Sequence, residues 1–339
     1  MREIKTIDAV GHIICHDITQ ITPGVSKGVA FKKGHMVREE DIPKLFALGK
    51  DHLFVWQADE NTMHENEAAD ILYRLCAGEN IRPTEVREGK IDLIAMADGL
   101  LEVDTERLRK INSLGEIMVA TRHGGFAVKK DEMLAGTRAI PLVISKAKMR
   151  QAEEIAGGRP IITVREFRLK KCAIITTGNE VFYGRTSDKF TPVVKEKLAE
   201  FGGEVICQAT LPDEYEKITT AINECIASGA ELVVCTGGMS VDPDDRTPLA
   251  IKNTGAAIVS YGAPVLPGAM FMLAYHKSGC PVVGLPGCAM YTKRTVFDLV
   301  LPKLMAKAEI TKGWLANLGH GGLCLNCPVC VFPACSFGK

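Results

Sequence analysis

Three short stretches of the chain set glycine, hydroxyl and carboxylate side chains next to one another. They are Thr176-Thr177-Gly178-Asn179-Glu180, the longer run from Thr236-Gly237-Gly238-Met239-Ser240 through Val241, Asp242, Pro243, Asp244 and Asp245 to Arg246-Thr247-Pro248, and Leu285-Pro286-Gly287-Cys288. A fourth, Leu211-Pro212-Asp213-Glu214, lies between the first two. Glycine lets backbone N–H groups come close to an anion, and a following helix N-terminus adds partial positive charge. That combination suits a phosphate. Glu180, Asp213, Asp242, Asp244 and Asp245 would repel the phosphate unless a cation intervened, and such an oxygen-rich set suits Mg²⁺. Each loop alone also reads as ordinary turn chemistry, with Asp213 and Asp245 capping helices. Three such loops at successive strand ends read as one binding site.

A second concentration of chemistry lies in the tail. Cys324, Cys327, Cys330 and Cys335 fall within twelve residues, two Cys-x-x-Cys steps followed by a longer gap. Closely spaced thiolates are soft ligands for zinc or an iron–sulfur cluster. The last gap is one residue longer than in the bacterial ferredoxin run, and His320 is a substitute ligand. The other eight cysteines (Cys15, Cys76, Cys172, Cys207, Cys225, Cys235, Cys280, Cys288) are scattered, several in apolar stretches. They are expected to be reduced, buried small hydrophobes.

The loops need elements to hold them. From residue 172 onward, short apolar runs alternate with amphipathic stretches. Strands are expected at Cys172 to Thr176, Val205 to Ala209, Leu232 to Thr236, Ala256 to Ser260, Met270 to Ala274 and Val282 to Leu285. Helices are expected at Phe190 to Phe201, Glu214 to Ala227, from Pro248, and Ala289 to Leu301. Continuous apolar strands alternating with helices mean a mostly parallel sheet covered on both faces. Ligands then sit at the carboxyl ends of the strands, where the glycine-rich stretches fall.

Residues 1–160 read as a smaller mixed α+β region. Expected there are a helix over Ile42 to Leu48 behind Asp41, a strand Leu53-Phe54-Val55-Trp56, and a helix opening at Asn61 or Thr62 with Ala68, Ile71, Leu72 and Leu75 on one face. Asp98-Gly99 predicts a hairpin between Ile91–Ala97 and Leu100–Val103. His64-Glu65-Asn66-Glu67 reads as a solvated first turn, and Arg122-His123-Gly124-Gly125-Phe126 as a turn able to add a basic contact. The main boundary is placed at Gly157-Gly158-Arg159-Pro160, giving 1–160, 161–311 and a tail of 312–339 that is expected to be independent.

The 339 residues carry 41 basic and 41 acidic side chains, a formal charge of zero. Bulk nucleic-acid or anionic-membrane binding would call for a basic excess. No apolar run reaches the ~18 residues of a membrane span. Met1-Arg2-Glu3-Ile4-Lys5 places charge where a signal peptide would turn apolar. A cytoplasmic location is therefore expected. No P-loop, dinucleotide fingerprint or Gly-x-Ser-x-Gly elbow occurs.

Thr177-Gly178-Asn179-Glu180-Val181, Thr236-Gly237-Gly238-Met239-Ser240-Val241 and Gly284-Leu285-Pro286-Gly287 resemble the three signature loops of the molybdopterin-binding domain family. That domain occurs in molybdopterin molybdenumtransferases and molybdopterin adenylyltransferases. The resemblance spans about residues 168–305, and Asp245-Arg246-Thr247-Pro248 is closer to the adenylyltransferase style. It implies a three-layer α/β/α fold, a pterin-phosphate ligand and Mg²⁺. It carries acidic active-site roles onto Glu180, Asp213 and Asp245, and phosphate contacts onto the backbone of Gly237 and Gly238. Thr177, Gly178, Asn179, Thr236, Ser240, Pro286 and Gly287 complete the expected binding set. The implied activity is insertion of molybdate into adenylylated molybdopterin. Adenylyl transfer and a carrier or sensor without turnover are the alternatives. Expected partners are molybdopterin or its adenylylated form and molybdate, a second copy of the chain, and molybdoenzyme or cofactor-pathway proteins. The chain departs from the transferase pattern in three places. Leu266-Pro267-Gly268-Ala269-Met270 lacks the anion-holding lysines, Cys288-Ala289 replaces Asn-Pro, and no Asp-Gly-Tyr-Ala motif occurs.

Overall fold

The computed structural model describes every residue except 1, 23–25, 56–59, 241, 243 and 244. Trp56, Val241, Pro243 and Asp244, all singled out from the sequence, lie outside the described residues. The chain divides into two compact units. One comprises residues 1–96, 103–122 and 130–163; the other comprises 97–102, 123–129 and 164–339.

In the second unit a six-stranded sheet is built from β1 (Lys171–Thr177), β2 (Glu204–Leu211), β3 (Leu232–Thr236), β4 (Ala257–Tyr261), β5 (Met272–Tyr275) and β6 (Pro281–Leu285). Their spatial order is β2-β1-β3-β6-β5-β4. β2, β1, β3 and β6 run parallel, and β5 and β4 add an antiparallel edge. Alternate residues of β1 face opposite layers. Cys172 and Ile174 join a core containing Val194 and Leu198 of helix α1 (Phe190–Ala199). Ala173 and Ile175 join a core containing Ile218 and Ile222 of α2 (Tyr215–Ala227) and Ile251 of α3 (Thr247–Asn253). Both faces are thus covered, and the three-layer α/β/α expectation holds.

The fourth helix starts later than its hydrophobicity suggests. A short 3-10 turn covers Gly287–Met290, and α4 runs Val296–Met305. Thr295 caps it by accepting the Phe297 N–H (3.2 Å), while Asp298 accepts the Thr295 N–H (2.7 Å). This Thr-x-x-Asp box is the start signal, and it leaves residues 291–294 as a separate connecting segment.

The first unit contains a four-stranded antiparallel sheet in the order Ile81–Pro83, Lys90–Ala95, Met133–Ala139, Ile117–Thr121. A smaller core gathers Ile14, Ile18, Leu45, Leu53 and Val55 around the helix Ile42–Ala47. The predicted helix after residue 61 begins instead at Glu65, because Thr62–His64 pairs as a strand with Val143–Ser145. His64 and Glu65 are buried, not solvated. The His64 Nδ1 accepts from the Asn66 N–H (3.1 Å) and lies 3.2 Å from Lys33 Nζ, so Nε2 carries the proton, donated to the Cys15 carbonyl (2.9 Å). Burial first, then the Lys33 charge, pushes this imidazole below the usual histidine range.

The Asp98-Gly99 hairpin does not form. Lys90–Ala95 pairs with Met133–Ala139, whereas Leu100 and Gly99 pair with Ala127 and Val128. Leu100 is buried against Ala306 and Ala308. Long-range burial outweighs the local turn signal at this point. The tail is not independent either. Residues 312–339 fall in the second unit, with Leu315 and Phe337 buried in its main core. Among the described residues no helix is long and apolar enough to cross a membrane.

Cys207 and Cys225, expected as free thiols, form a disulfide between β2 and α2. Cys76, Cys172, Cys235 and Cys280 are free and buried, and burial pushes each thiol up to about 12, which leaves them inert. Reducing the disulfide, or replacing both cysteines by alanine, is expected to lower stability by about 3 kcal/mol, the loop-closure value for a crosslink of this span. Equal urea midpoints for the oxidised and reduced protein would contradict that.

Candidate functional site

The first two signature loops meet at the carboxyl ends of β1 and β3. Thr177 and Thr247 hydroxyls lie 3.1 Å apart, and Thr247 also donates to the Gly237 carbonyl (2.9 Å). The Thr247 N–H donates to the Gly238 carbonyl (3.2 Å). Gly237 has φ +86°, and a Cβ there would stand 2.1 Å from the Thr177 carbonyl oxygen. Only glycine permits that approach. The Gly178 N–H donates to the Leu211 carbonyl (3.2 Å), which brings the Pro212-Asp213 turn alongside. The third loop enters through β6. Met239 is buried over Gly284, where a Cβ would meet its sulfur at 2.4 Å, and the Tyr261 hydroxyl donates to the Met239 carbonyl (3.0 Å). Pro286 is buried and Gly287 exposed where that loop begins.

Beneath these loops runs a buried hydroxyl row. Thr236 donates to Thr176 (3.3 Å), and Thr176 lies 3.0 Å from Thr191. The row ends on Asp188, which accepts the N–H groups of Phe190 (2.8 Å) and Thr191 (3.0 Å) and the Thr191 hydroxyl (2.5 Å). Burial pushes the Asp188 carboxyl up, but these hydrogen bonds outweigh it and hold it below the usual aspartate range. Sequence reasoning passed over Asp188. The signal was available, since Asp188 stands two residues before α1 with Thr191-Pro192 in its first turn.

The acidic residues have local duties. Asp213 accepts the Asn179 N–H (2.9 Å), and Asn179 Oδ1 accepts the Asp213 N–H (3.3 Å). Asp245 accepts the Asp242 N–H (3.0 Å), and Asp242 accepts the Asp245 N–H in return (2.9 Å). Neither carboxylate caps a helix: α2 and α3 begin at Glu214 and Arg246 without a side-chain cap. Both brace the loops instead. The Glu180 carboxylate folds back over Gly178, within 2.8 Å of where a Cβ would stand, and Glu180 is exposed. Ser240 is exposed and its carbonyl lies 3.4 Å from the Tyr261 hydroxyl.

Among the described residues, no three His, Cys, Asp or Glu side chains gather so as to hold a metal ion. Glu180, Asp213 and Asp245 therefore do not make a ready-built cage, and the four tail thiols are not drawn to one point. Those thiols, Cys324, Cys327, Cys330 and Cys335, do line one small cavity of about 50 Å³ together with Arg294 and Phe332. A neighbouring cavity of about 400 Å³ shares Thr292, Lys293 and Arg294 with it and adds Glu196 and Lys197 of α1 and Glu200 just after it. Below this, Lys197 and Asp298 form a buried ion pair, and Arg294 donates to Asp298 (2.8 Å). Asp298 thus serves two cations and a helix cap; the Thr-x-x-Asp box signals the cap, while no local sequence signal announces the cation pairing.

The turn at His123–Phe126 lies against the tail. His123 stacks edge-on to Phe126, whose ring meets Phe332 at 5.7 Å. Arg122 belongs to the other unit and pairs with Glu132. A further cavity, about 640 Å³, opens at the opposite, amino ends of β3 and β6, beside Glu231, Tyr275 and Cys280. Glu231 there is partly buried, yet the Lys307 ammonium (2.7 Å) and the N–H groups of Lys170 and Lys171 hold its carboxyl down at about 2.

Comparison with known proteins concerns mainly the second unit. Residues 173–306 match a family model described as a probable molybdopterin binding domain. Residues 3–57 match a model described as a domain of unknown function. A molybdenum cofactor biosynthesis bifunctional protein of Synechococcus elongatus is 32% identical over 83 residues, 24% of this chain and 26% of that one. A CinA-like protein of Thermosipho melanesiensis is 34% identical over 86 residues, 25% of this chain and 21% of that one. A molybdopterin molybdenumtransferase of Staphylococcus epidermidis is 24% identical over 336 residues, 88% of this chain and 72% of that one. The chain spans about a quarter of the length of the first two. All three signature loops lie inside the matched stretch, so the resemblance carried by residues 177–181, 236–241 and 284–287 is borne out.

Proposed function

We propose that this chain binds molybdopterin, free or adenylylated, and serves molybdenum-cofactor assembly by placing molybdate in the dithiolene with release of AMP. The observation that carries this reading is the joining of loops 177–180 and 236–247 through Thr177, Gly237 and Thr247, inside the stretch that matches the molybdopterin-binding model. Backbone at Gly237 and Gly238 would meet the phosphates, with Thr177, Asn179, Thr236, Ser240, Pro286 and Gly287 shaping the rest. Asp213 and Asp245 hold their loops in register, and Glu180 is free at the rim to face a cation. Mg²⁺ commonly binds through one or two carboxylates plus substrate phosphates, and it would neutralise phosphate charge here. Carboxylates that are not gathered beforehand fit that mode, because the ligand completes the coordination. The chain's own contribution is positioning and loop rigidity.

A binding module without turnover is the second reading. The specific observation favouring it is Leu266-Pro267-Gly268-Ala269-Met270, where the transferase pattern has lysines. Adenylyl transfer, favoured by Asp245-Arg246-Thr247-Pro248, is a variant of the first. The reading also includes a cytoplasmic setting, self-association, cofactor-pathway or molybdoenzyme partners, and zinc or an iron–sulfur cluster on the tail thiols.

AMP release from adenylylated molybdopterin, with molybdate and Mg²⁺ supplied, separates turnover from carriage. If the chain turns over, Asp245→Ala should lower that rate at least tenfold. Because the residue braces an exposed loop rather than a core, it should lower stability by no more than ~1 kcal/mol. A full rate in Asp245→Ala would remove the residue from the site, and no AMP from the unaltered protein would leave the carrier reading.

A further inference from the structure

The first signature loop leaves the sheet at Thr177, the last residue of β1, and the chain returns at α1. The second leaves at Thr236, the last residue of β3 and the lateral neighbour of Thr176. Asp188, just before α1, is joined to both departures. One of its oxygens accepts the Phe190 and Thr191 N–H groups, and the other accepts the Thr191 hydroxyl. Thr191 lies 3.0 Å from Thr176, which accepts from Thr236 (3.3 Å). The three threonines are no more than 5% exposed, so water cannot stand in for a missing partner.

The direction of the row follows from its chemistry. Burial pushes the Asp188 carboxyl up, but its hydrogen bonds hold it below the usual aspartate range, so it is ionised at neutral pH. An ionised carboxylate only accepts, and a hydroxyl has one proton to give. Thr191 commits its proton to Asp188 and must accept from Thr176. Thr176 then accepts from Thr236. Every proton points toward Asp188, and hydrogen bonds chained in one direction polarise and strengthen one another. The Thr236 hydroxyl is thereby spent beneath Gly237, fixing the strand end rather than facing a ligand.

We infer that Asp188 is a positioning residue for the phosphate-binding loops: through Thr191, Thr176 and Thr236 it locks the two strand ends from which loops 177–180 and 236–247 depart. This role rests on the reading of those loops as a pterin-phosphate site. Asp188 itself touches no ligand. Backbone N–H groups bind a phosphate well only when they are already aimed at it, so slack at the strand ends costs affinity.

The test pairs amide hydrogen exchange of the ligand-free full chain with a molybdopterin titration. Thr191→Val keeps the side chain's shape and cuts the row, whereas Thr191→Ser keeps the hydroxyl. Asp188→Asn keeps an acceptor for the two N–H groups, but its amide can donate to Thr191 and turn the row around. Asp188 is partly exposed, so Asp188→Asn should fold even if the buried Thr191→Val does not. Both variants should speed exchange in 177–180 and 236–240 and weaken pterin binding, each by about fivefold, the effect of one lost hydrogen bond. Exchange in β4 and β5, which the row does not touch, should stay the same, and Thr191→Ser should restore most of both losses. Unchanged loop exchange in the folded variants would overturn the inference, even with a lowered denaturant midpoint. So would unchanged pterin affinity where the unaltered protein binds. An unaltered protein that binds no pterin, with loops loosened in both variants, would overturn the pterin reading and leave the row's hold on the loops standing.

Discussion

Gly237→Ala is expected to cost about 2–4 kcal/mol of stability and to abolish binding of a pterin phosphate. The backbone at this position is left-handed, which strains any residue with a Cβ by roughly 1–3 kcal/mol. The added methyl would also stand 2.1 Å from the Thr177 carbonyl and 2.9 Å from its hydroxyl. Thr177 ends β1 and is buried, so it cannot retreat without shifting the sheet edge. Forced overpacking of this kind adds about 1–3 kcal/mol. The two signature loops would separate, and with them the phosphate cradle. Gly287→Ala is the matched comparison: its φ is ordinary and nothing lies within 4 Å of the new methyl. It should change stability by no more than ~0.5 kcal/mol. Denaturant midpoints for the two variants check the pair, and equal midpoints would show that the loop junction is slack.

Asp298→Ala should be strongly destabilising, at about 3–5 kcal/mol, because Lys197 then keeps only the Lys293 carbonyl (3.2 Å) and Arg294 only the more distant Glu200 (3.6 Å). Lys197 and Asp298 side chains are only 8% and 3% exposed, so water cannot substitute. The change also removes the acceptor for the Thr295 N–H at the start of α4. Asp298→Asn keeps an acceptor for that N–H and loses only the charge, so it should fall between the alanine variant and the unaltered protein. Lys197→Met removes the other partner while Arg294 still satisfies Asp298, and should be milder than Asp298→Ala. If Asp298→Ala unfolded at the same denaturant concentration as the unaltered chain, the buried network would not be a stability element.

The three-layer sheet was legible because its strands are continuous apolar runs and its loops carry glycine where two strand ends must touch. The Thr177–Thr247 junction is the physical reason those glycines cluster. Other features lacked a local signal. Lys197 and Asp298 are 101 residues apart in sequence, so only the folded chain pairs them. Cys207 and Cys225 look like any buried small side chains until β2 and α2 pack together. Asp98-Gly99 looked like a hairpin turn, yet Leu100 is drawn away by burial against Ala306 and Ala308. The carboxylates were found by type, but their duties were not. A short Asp beside a helix start reads as a cap, whereas Asp213 answers the Asn179 N–H of the neighbouring loop and Asp245 an N–H within its own.

The most direct test of the account is a binding titration of the full, anaerobically prepared chain with molybdopterin, followed by the change in pterin fluorescence. The account predicts saturable binding near one pterin per chain, strengthened at least tenfold for the adenylylated form when Mg²⁺ is present, and lost in Gly237→Ala. Failure of the unaltered protein to bind either form, or binding by Gly237→Ala as tight as by the unaltered protein, would contradict it.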